Sequence, residues 1–313
     1  MSFYYGVDIG GTTVKLGRFS GDGTLHEKWA LPTRTGENGK YIFDDIAASI
    51  LSRTVEAGGS PSQIKGVGMG IPGPILPDGC MEVGVNIGMR HVYPAKELSE
   101  RLNLPLVCCG NDANVAALGE AWKGGGTGFS SIFLFTLGTG VGGGAVVDGR
   151  ILQGSHGIAG EIGHTTVNFA ETEACNCGNR GCLEQYASAT GLVREAKKAL
   201  AACQAHSLLR EKKNLTAKDV LDAAKAGDPV AGTAAAAMGR YLAWAMSWVS
   251  HILDPDAFVI GGGVSAAGEF LLDLIREEYA ERTKMLLRKA ELRLATLGNE
   301  AGIYGAVRMV LGQ

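Results

Sequence analysis

Two stretches of this chain are built to one plan. Residues 3–19 read FYYGVDIGGTTVKLGRF, and residues 130–147 read SSIFLFTLGTGVGGGAVV. Each is an apolar strand, a glycine turn and a second strand, and the second copy lies about 128 residues after the first (Gly138 against Gly10). A third strand follows in each, TLHEKWA after an SGDG turn and RILQG after a D-G turn. A chain that repeats a meander in this way is expected to form two similar α/β domains, which, facing each other, leave a cleft between their glycine turns.

The segments between and after the repeats fit that reading. Helices are expected at about 40–57, 95–102, 113–122 and 182–204, from Thr216, and at 229–252, 266–282 and 301–312; further strands are expected in IKGVGMGI, LPLVCC, DAFVI and ELRLATL. PGPILPDG reads as a loop, and GGGTGFSS as the linker between the copies. The expected domains are residues 1–119 with 300–313, and residues 120–299.

With 46% hydrophobic residues over 313 positions, the composition is that of a soluble globular protein. No apolar run approaches the roughly 20 residues of a membrane span, and the amino terminus has no signal-peptide pattern, so a cytoplasmic protein with no membrane partner is expected. A net charge of −3 without a Lys/Arg stripe argues against nucleic acid. An anionic ligand would need local devices, and the 47 glycines, about twice the usual share of roughly 7%, supply them in clusters.

DIGGTTVK (8–15) and LGTGVGGG (137–144) place glycines directly after strands, where the backbone can approach a ligand and turn its N–H groups toward anionic oxygens. Neither is a Walker loop, and neither leads into a helix as a dinucleotide fingerprint does. Each alone reads as a tight hairpin; paired in a duplicated frame, they read as two grips on a polyphosphate. A third turn, IGGGVS at 260–265, sits between strand and helix and suits a nucleoside. Asp8 ends an apolar strand, where it either caps the turn or holds Mg²⁺ directly or through water. Asn111 and Asp112 follow LPLVCC and precede a helix; Asp112 is either an N-cap or a general base at the carboxyl end of a sheet strand.

Seven cysteines are present, of which Cys80, Cys108, Cys109 and Cys203 read as inert small hydrophobes. ACNCGNRGCLEQ is different: Cys175, Cys177 and Cys182 fall within eight residues, with Glu184 just beyond. A C-x-C pair does not readily close on itself, and no C-x-x-C redox pair is present. With His164 eleven residues before Cys175, three thiolates and an imidazole make a tetrahedral zinc set, closed and therefore structural.

DIGGTTVKLG, GIPGPI, GNDANVAALGE, LGTGVGGG, GEIGH and CNCGNRGCLE, in this order, resemble the ROK family of bacterial sugar kinases and related repressors, and among its members the ROK-type glucokinases most. The resemblance runs from Tyr5 to the last helix. Its most specific element is C-x-C-G-x-x-G-C-x-E with E-x-x-H upstream. It implies an actin-like, hexokinase-like (ribonuclease H-type) α/β fold of two domains with an interdomain cleft, ATP and Mg²⁺ as cofactors beside the structural Zn²⁺, and a homodimer or homotetramer. It also implies roles. Asp112 would take the proton from the sugar hydroxyl that attacks the γ-phosphate; Gly73, Asn86, Asn111, Glu161, His164 and Glu184 would contact the sugar, His164 binding zinc through its second nitrogen. Asp8, Gly10, Gly11, Thr12, Thr13 and Lys15 would face the phosphates together with Gly138, Thr139, Gly140 and Gly142, and Gly261, Gly262, Gly263 and Val264 the nucleoside. The chain departs from the family at Met89, where many members carry Trp, and a changed outer wall of the sugar pocket is expected there.

Glucose phosphorylated on its 6-hydroxyl is the expected reaction, with N-acetylmannosamine, N-acetylglucosamine, mannose, fructose or allose as alternative acceptors. A repressor of the same family would carry a helix-turn-helix before the first glycine turn, whereas seven residues precede Asp8. A zinc-binding module without catalysis would be supported only by failure to bind ATP.

Overall fold

The structure, a computed structural model, describes residues 2–312. The chain divides into two compact units: the first takes the segments through Ser130, Gly144–Gly160 and from Leu297, and the second Ser131–Gly143 and Glu161–Thr296.

The first unit opens with the expected meander, β1 (Phe3–Ile9), β2 (Thr13–Phe19) and β3 (Leu25–Pro32). The helix Ile42–Glu56 leads to β4 (Ile64–Ile71), which pairs parallel with β1. A hairpin not anticipated from sequence, β5 (Met81–Gly84) and β6 (Met89–Val92), follows the PGPILPDG loop. After the helix Pro94–Leu102 comes β7 (Val107–Asn111), parallel to β4, giving a sheet of order β3-β2-β1-β4-β7. Ile42, Ile46 and Ile50 are at most 1% exposed and, one helical turn apart, press a single face onto this sheet. Each such side chain contributes about 1.5–3 kcal/mol by leaving water.

On the same unit the helix Ala301–Leu311 comes so close to β1 and β4 that a side chain at Gly6 or Gly68 would collide with the carbonyls of Ile303 and Ala306. At the helix start Gly302 leaves room for the carboxyl of Asp8; a Cβ there would lie 2.6 Å from its Cγ.

The second copy begins with β8 (Ile132–Leu137), β9 (Val141–Val147) and β10 (Arg150–Ile151), and β11 (Ala257–Gly261) and β12 (Glu291–Leu294) complete a sheet of order β10-β9-β8-β11-β12. Position for position this is the order of the first sheet, so the duplication extends from the meander to all five strands. In the second unit the 25-residue helix Pro229–Leu253 and the helix Glu269–Arg282 pack backbone to backbone at Gly239, and Ser250 Oγ meets Tyr279 Oη at 2.8 Å.

Two expectations need correction. The helix expected at 182–204 is broken at Ser188, whose extended backbone lets its hydroxyl accept from Gly191 N–H and donate to Glu184 O, leaving Glu184–Ala187 and Ala189–Ala202 as separate helices. The expected boundary at 119/120 cuts the helix Asp112–Lys123; Glu120, 1% exposed, instead accepts the N–H groups of Gly125 at 2.8 Å and Leu297 at 2.9 Å, so both segments stay with the first unit. Among the described residues, no helix is long and apolar enough to cross a membrane.

Candidate active site and metal centre

The first glycine turn closes with Gly10 N–H donating to Thr13 O at 3.0 Å, and Thr33, just past the end of β3, braces it: Thr33 Oγ1 donates to Gly10 O at 2.7 Å and Thr33 N–H to Thr12 O at 3.0 Å. Asp8, on the strand before the turn, meets Lys15 Nζ at 3.5 Å across the β1–β2 pair. Burial pushes its carboxyl above the ordinary range, and the Lys15 charge offsets part of that. The alternative that Asp8 caps the turn has no counterpart here: its carboxylate meets Lys15, and the turn is held by backbone and Thr33. Gly11 faces the backbone of Asn86, whose carbonyl would lie 3.2 Å from a Cβ at that position.

At the carboxyl end of β7 the capping is done by Asn111, which accepts from the N–H groups of Ala113 at 3.0 Å and Asn114 at 3.2 Å. Its amide nitrogen donates to Gly73 O at 3.3 Å, so one side chain ties the β4 loop to the start of the helix. Gly73 has φ +128, and a side chain there would meet Val83 O at 2.7 Å; glycine is required on both counts. Asp112 is the first helical residue, and its Oδ1 accepts Ala113 N–H at 2.9 Å. The N-cap alternative for Asp112 therefore gives way, because Asn111 already fills that place. Met89 is 3% exposed and belongs to the core of the first unit, where it packs at Gly39.

In the second unit three features adjoin. Gly138 N–H closes the second turn on Gly140 O at 3.0 Å, while Ala189 N–H donates to Gly138 O and Thr190 Oγ1 to Thr139 O, both at 2.8 Å. Gly262, with φ +84, packs on the backbone of Leu137, bringing the third turn against the end of β8. Beside these turns lie a cavity of about 160 Å³, lined by Leu221, Asp222, Gly263 and Val264 with Lys218 and Lys225, and one of about 500 Å³, lined by Thr139, Thr190, Arg194 and Lys197. Ala189 and Ala217 border both. The helix Ala217–Lys225 was legible from its capping box at Thr216 and Asp219, but nothing in its sequence said that one face borders the Gly263 turn.

Glu161 and His164 lie on one short 3₁₀ turn, Ile162–His164 with Glu161 at its cap. His164, Cys175, Cys177 and Cys182 converge, their ligand atoms all within 4.8 Å of one another. His164 Nδ1 is 3.9 Å from Cys175 Sγ, and Cys177 Sγ is 3.6 Å from Cys182 Sγ. Four donors about 2.3 Å from one zinc ion stand about 3.8 Å apart at the corners of a tetrahedron, so the set fits structural zinc in both chemistry and spacing. The loop is shaped for it: Cys175 N–H donates to Asn179 O, Gly178 N–H returns to Cys175 O, and Gly181 has φ +71. Burial first, then the Cys177 and Cys175 thiols, push Cys182 up to about 12, so a cation is what would let these sulfurs ionise together.

Glu184 stands between the metal centre and the second turn. Its Oε1 is 4.0 Å from Cys175 Sγ, and its Oε2 accepts Val141 N–H at 3.1 Å. The far side of the same loop is clamped by charge: Tyr186 Oη donates to Glu171 at 2.6 Å, and Arg194 meets Glu171 at 3.0 Å and Glu173 at 3.2 Å. Although burial raises it, these groups and the Glu173 amide hold the Glu171 carboxyl down to about 2. Sequence reasoning missed this clamp, since Glu171, Tyr186 and Arg194 look like ordinary surface residues of a loop and two helices.

The structure thus joins Asn111, Asp112 and Gly73 in the first unit, and Glu161, His164, Glu184, the three cysteines and the second and third turns in the second unit. A cavity of about 810 Å³ touches Asn111, with Ile75, Cys109, Arg150 and Arg308 among the other residues that line it.

The sequence model of the ROK family matches residues 4–313. The chain is 43% identical to a glucokinase of Halalkalibacterium halodurans over 317 residues, covering 99% of this chain and 96% of that one. Among solved structures, the ROK hexokinase of Thermus thermophilus superposes with a TM-score of 0.83 at 32% identity, covering 98% of this chain and 97% of the other. A ROK family glucokinase of Streptomyces griseus, in complex with glucose and AMPPNP, superposes with a TM-score of 0.77 at 32% identity over the whole of both chains.

Proposed function

The chain belongs to the ROK family, and on that premise we propose that it transfers the γ-phosphoryl group of ATP to the 6-hydroxyl of glucose. The observation that carries this reading is in the second unit, where a glycine turn of the kind that receives phosphates and a carboxylate of the sugar loop are in direct hydrogen-bond contact, Glu184 Oε2 to Val141 N–H. Donor and acceptor subsites adjoin there. The 43% identity to a glucokinase over 99% of the chain supports glucose as the acceptor.

Phosphoryl transfer asks mainly for positioning and for stabilisation of charge. Asp112, at the carboxyl end of β7 with the capping left to Asn111, is the general base for the attacking hydroxyl. Glu161, His164 and Glu184 accept and donate to the remaining hydroxyls, and Asn111 keeps Asp112 and the Gly73 loop in register. The amides of Gly10–Thr13 and Gly138–Gly142 receive the phosphates, and the Gly263–Val264 cavity the nucleoside. Mg²⁺, when bound, would neutralise phosphate charge, and Asp8 is the carboxylate that would hold it. Zinc on His164, Cys175, Cys177 and Cys182 would stiffen the loop that aims His164 and Glu184.

An ADP-release assay with Mg²⁺ and ATP across a panel of sugars tests the proposal. Glucose is expected to show the highest kcat/KM. An N-acetylated hexosamine or fructose exceeding it about tenfold, which is about 1.4 kcal/mol of transition-state preference, would replace glucose as the substrate and leave the kinase standing.

A further inference from the structure

The hydrogen bond from Val141 N–H to Glu184 joins two groups to which the proposed function gives different ligands. Val141 begins β9 within the turn that would receive phosphate, and its N–H is taken by Glu184 Oε2 at 3.1 Å. The carboxylate sits close over the turn: a Cβ at Gly140 would collide with the same oxygen. The remainder of the turn is held independently of Glu184, by Gly138 N–H on Gly140 O and by Ala189 and Thr190 on the carbonyls of Gly138 and Thr139. The turn therefore keeps its shape whether or not the carboxylate stays. One N–H cannot serve a carboxylate and a phosphate oxygen equally, and two anions at one concavity repel.

Glu184 is also held so that only its side chain can answer. Its backbone carbonyl accepts Ser188 Oγ at 2.7 Å, and two residues before it Cys182 N–H donates to Gln185 Oε1 at 3.0 Å. Resting on the reading of Glu184 as a sugar contact, we propose that this carboxylate is a switch between the two substrates. Without sugar it occupies Val141 N–H and opposes the polyphosphate; a sugar hydroxyl draws it away and frees the amide for a phosphate oxygen. The sugar then binds first, the nucleotide seats well only afterwards, and water is denied a correctly held γ-phosphate while the acceptor is absent.

Titration of the full-length, zinc-loaded protein with Mg²⁺ and AMPPNP, by calorimetry, tests the switch. For the unaltered chain, saturating glucose is expected to tighten AMPPNP binding at least about fivefold, the lower end of ordinary coupling between sites. Glu184→Ala should bind AMPPNP without glucose as tightly as the unaltered chain does with it. Glu184→Gln, which loses the charge but keeps an oxygen for Val141 N–H, should gain clearly less. Zinc content, measured on each variant, shows that the loop is intact. Three results overturn the switch: AMPPNP affinity of the unaltered chain indifferent to bound glucose, sugar-free affinity of Glu184→Ala equal to that of the unaltered chain, or Glu184→Gln equal to Glu184→Ala, which would leave charge alone as the cause. A chain that binds neither glucose nor AMPPNP defeats the proposed function itself, and the switch with it.

Discussion

In the first glycine turn, Thr33, just past the end of β3, secures Gly10 and Thr12, so the support comes from the end of its own meander. In the second, the corresponding support comes from Ala189 and Thr190, which belong to the segment between β10 and β11 and have no counterpart in the first meander. Of the strands that follow, the fourth remain alike and the fifth diverge. The fourth strand of each sheet, β4 or β11, runs into a glycine turn with positive φ, at Gly73 or Gly262. The fifth strand of the first sheet ends in Asn111 and Asp112, whereas β12, its counterpart, ends at Leu294 and continues into Ala295 and Thr296. A duplicated frame thus carries a candidate base on one copy only and a candidate metal loop on the other only. On the proposed function, the difference teaches that the repeat supplies backbone shape for anions, while the candidate base and the candidate metal set reside in what each copy added.

The most severe test of that division is Asp112→Asn. If the base belongs to the first copy alone, kcat should fall about 10²- to 10⁴-fold with glucose binding retained, as seen by single-turnover kinetics and calorimetry. Retention of more than about a tenth of the original kcat would break the comparison.

Next in size is removal of the second copy's metal. One zinc per chain is expected by elemental analysis, and Cys177→Ser should lose it and raise KM for glucose at least about tenfold, since the metal organises the loop without performing the chemistry. A zinc-free preparation with full activity would reduce that loop to an ordinary protein segment.

A smaller effect is expected at the Glu171 clamp. Its carboxyl lies lower in the folded chain, at about 2, than its ordinary 4.5, so its stabilisation is present above about pH 4.5 and is lost as pH falls toward 2. Glu171→Gln should cost about 1–3 kcal/mol at neutral pH, read by denaturant unfolding, with the difference shrinking across that window. An unchanged difference at pH 3 would show that the clamp acts by packing instead of charge.

The smallest concerns the first copy. Asp8 is raised by burial, so its contribution to stability is present below its ordinary 3.8 and disappears as pH rises; ionised at neutral pH, it is a cost that Lys15 only partly offsets. Asp8→Asn is expected to raise Tm by about 1–3 °C at pH 7, with no gain at pH 3, while weakening Mg²⁺–AMPPNP binding. A fall in Tm at pH 7 would mean that the pair with Lys15 stabilises this turn.

Much of this was legible in the sequence because it depends on neighbours along the chain. Runs of β-branched and aromatic residues made β1 and β2 visible, glycine after a strand marked three turns, and Cys175, Cys177 and Cys182 with His164 suggested a metal site before any geometry was known. Contacts between distant segments were not legible, because no local pattern encodes which partner a side chain will meet. Asn111, not Asp112, is the cap, and its amide also reaches Gly73, 38 residues away. Met89 entered the core because β6 folds back on β5, and Glu120 kept the linker with the first unit by accepting from Leu297, 177 positions on. The bond between Val141 and Glu184 spans 43 residues and two elements whose sequences say nothing of each other. Local chemistry could be read from residue order; which groups compete for one hydrogen bond was decided only when the tertiary structure placed them together.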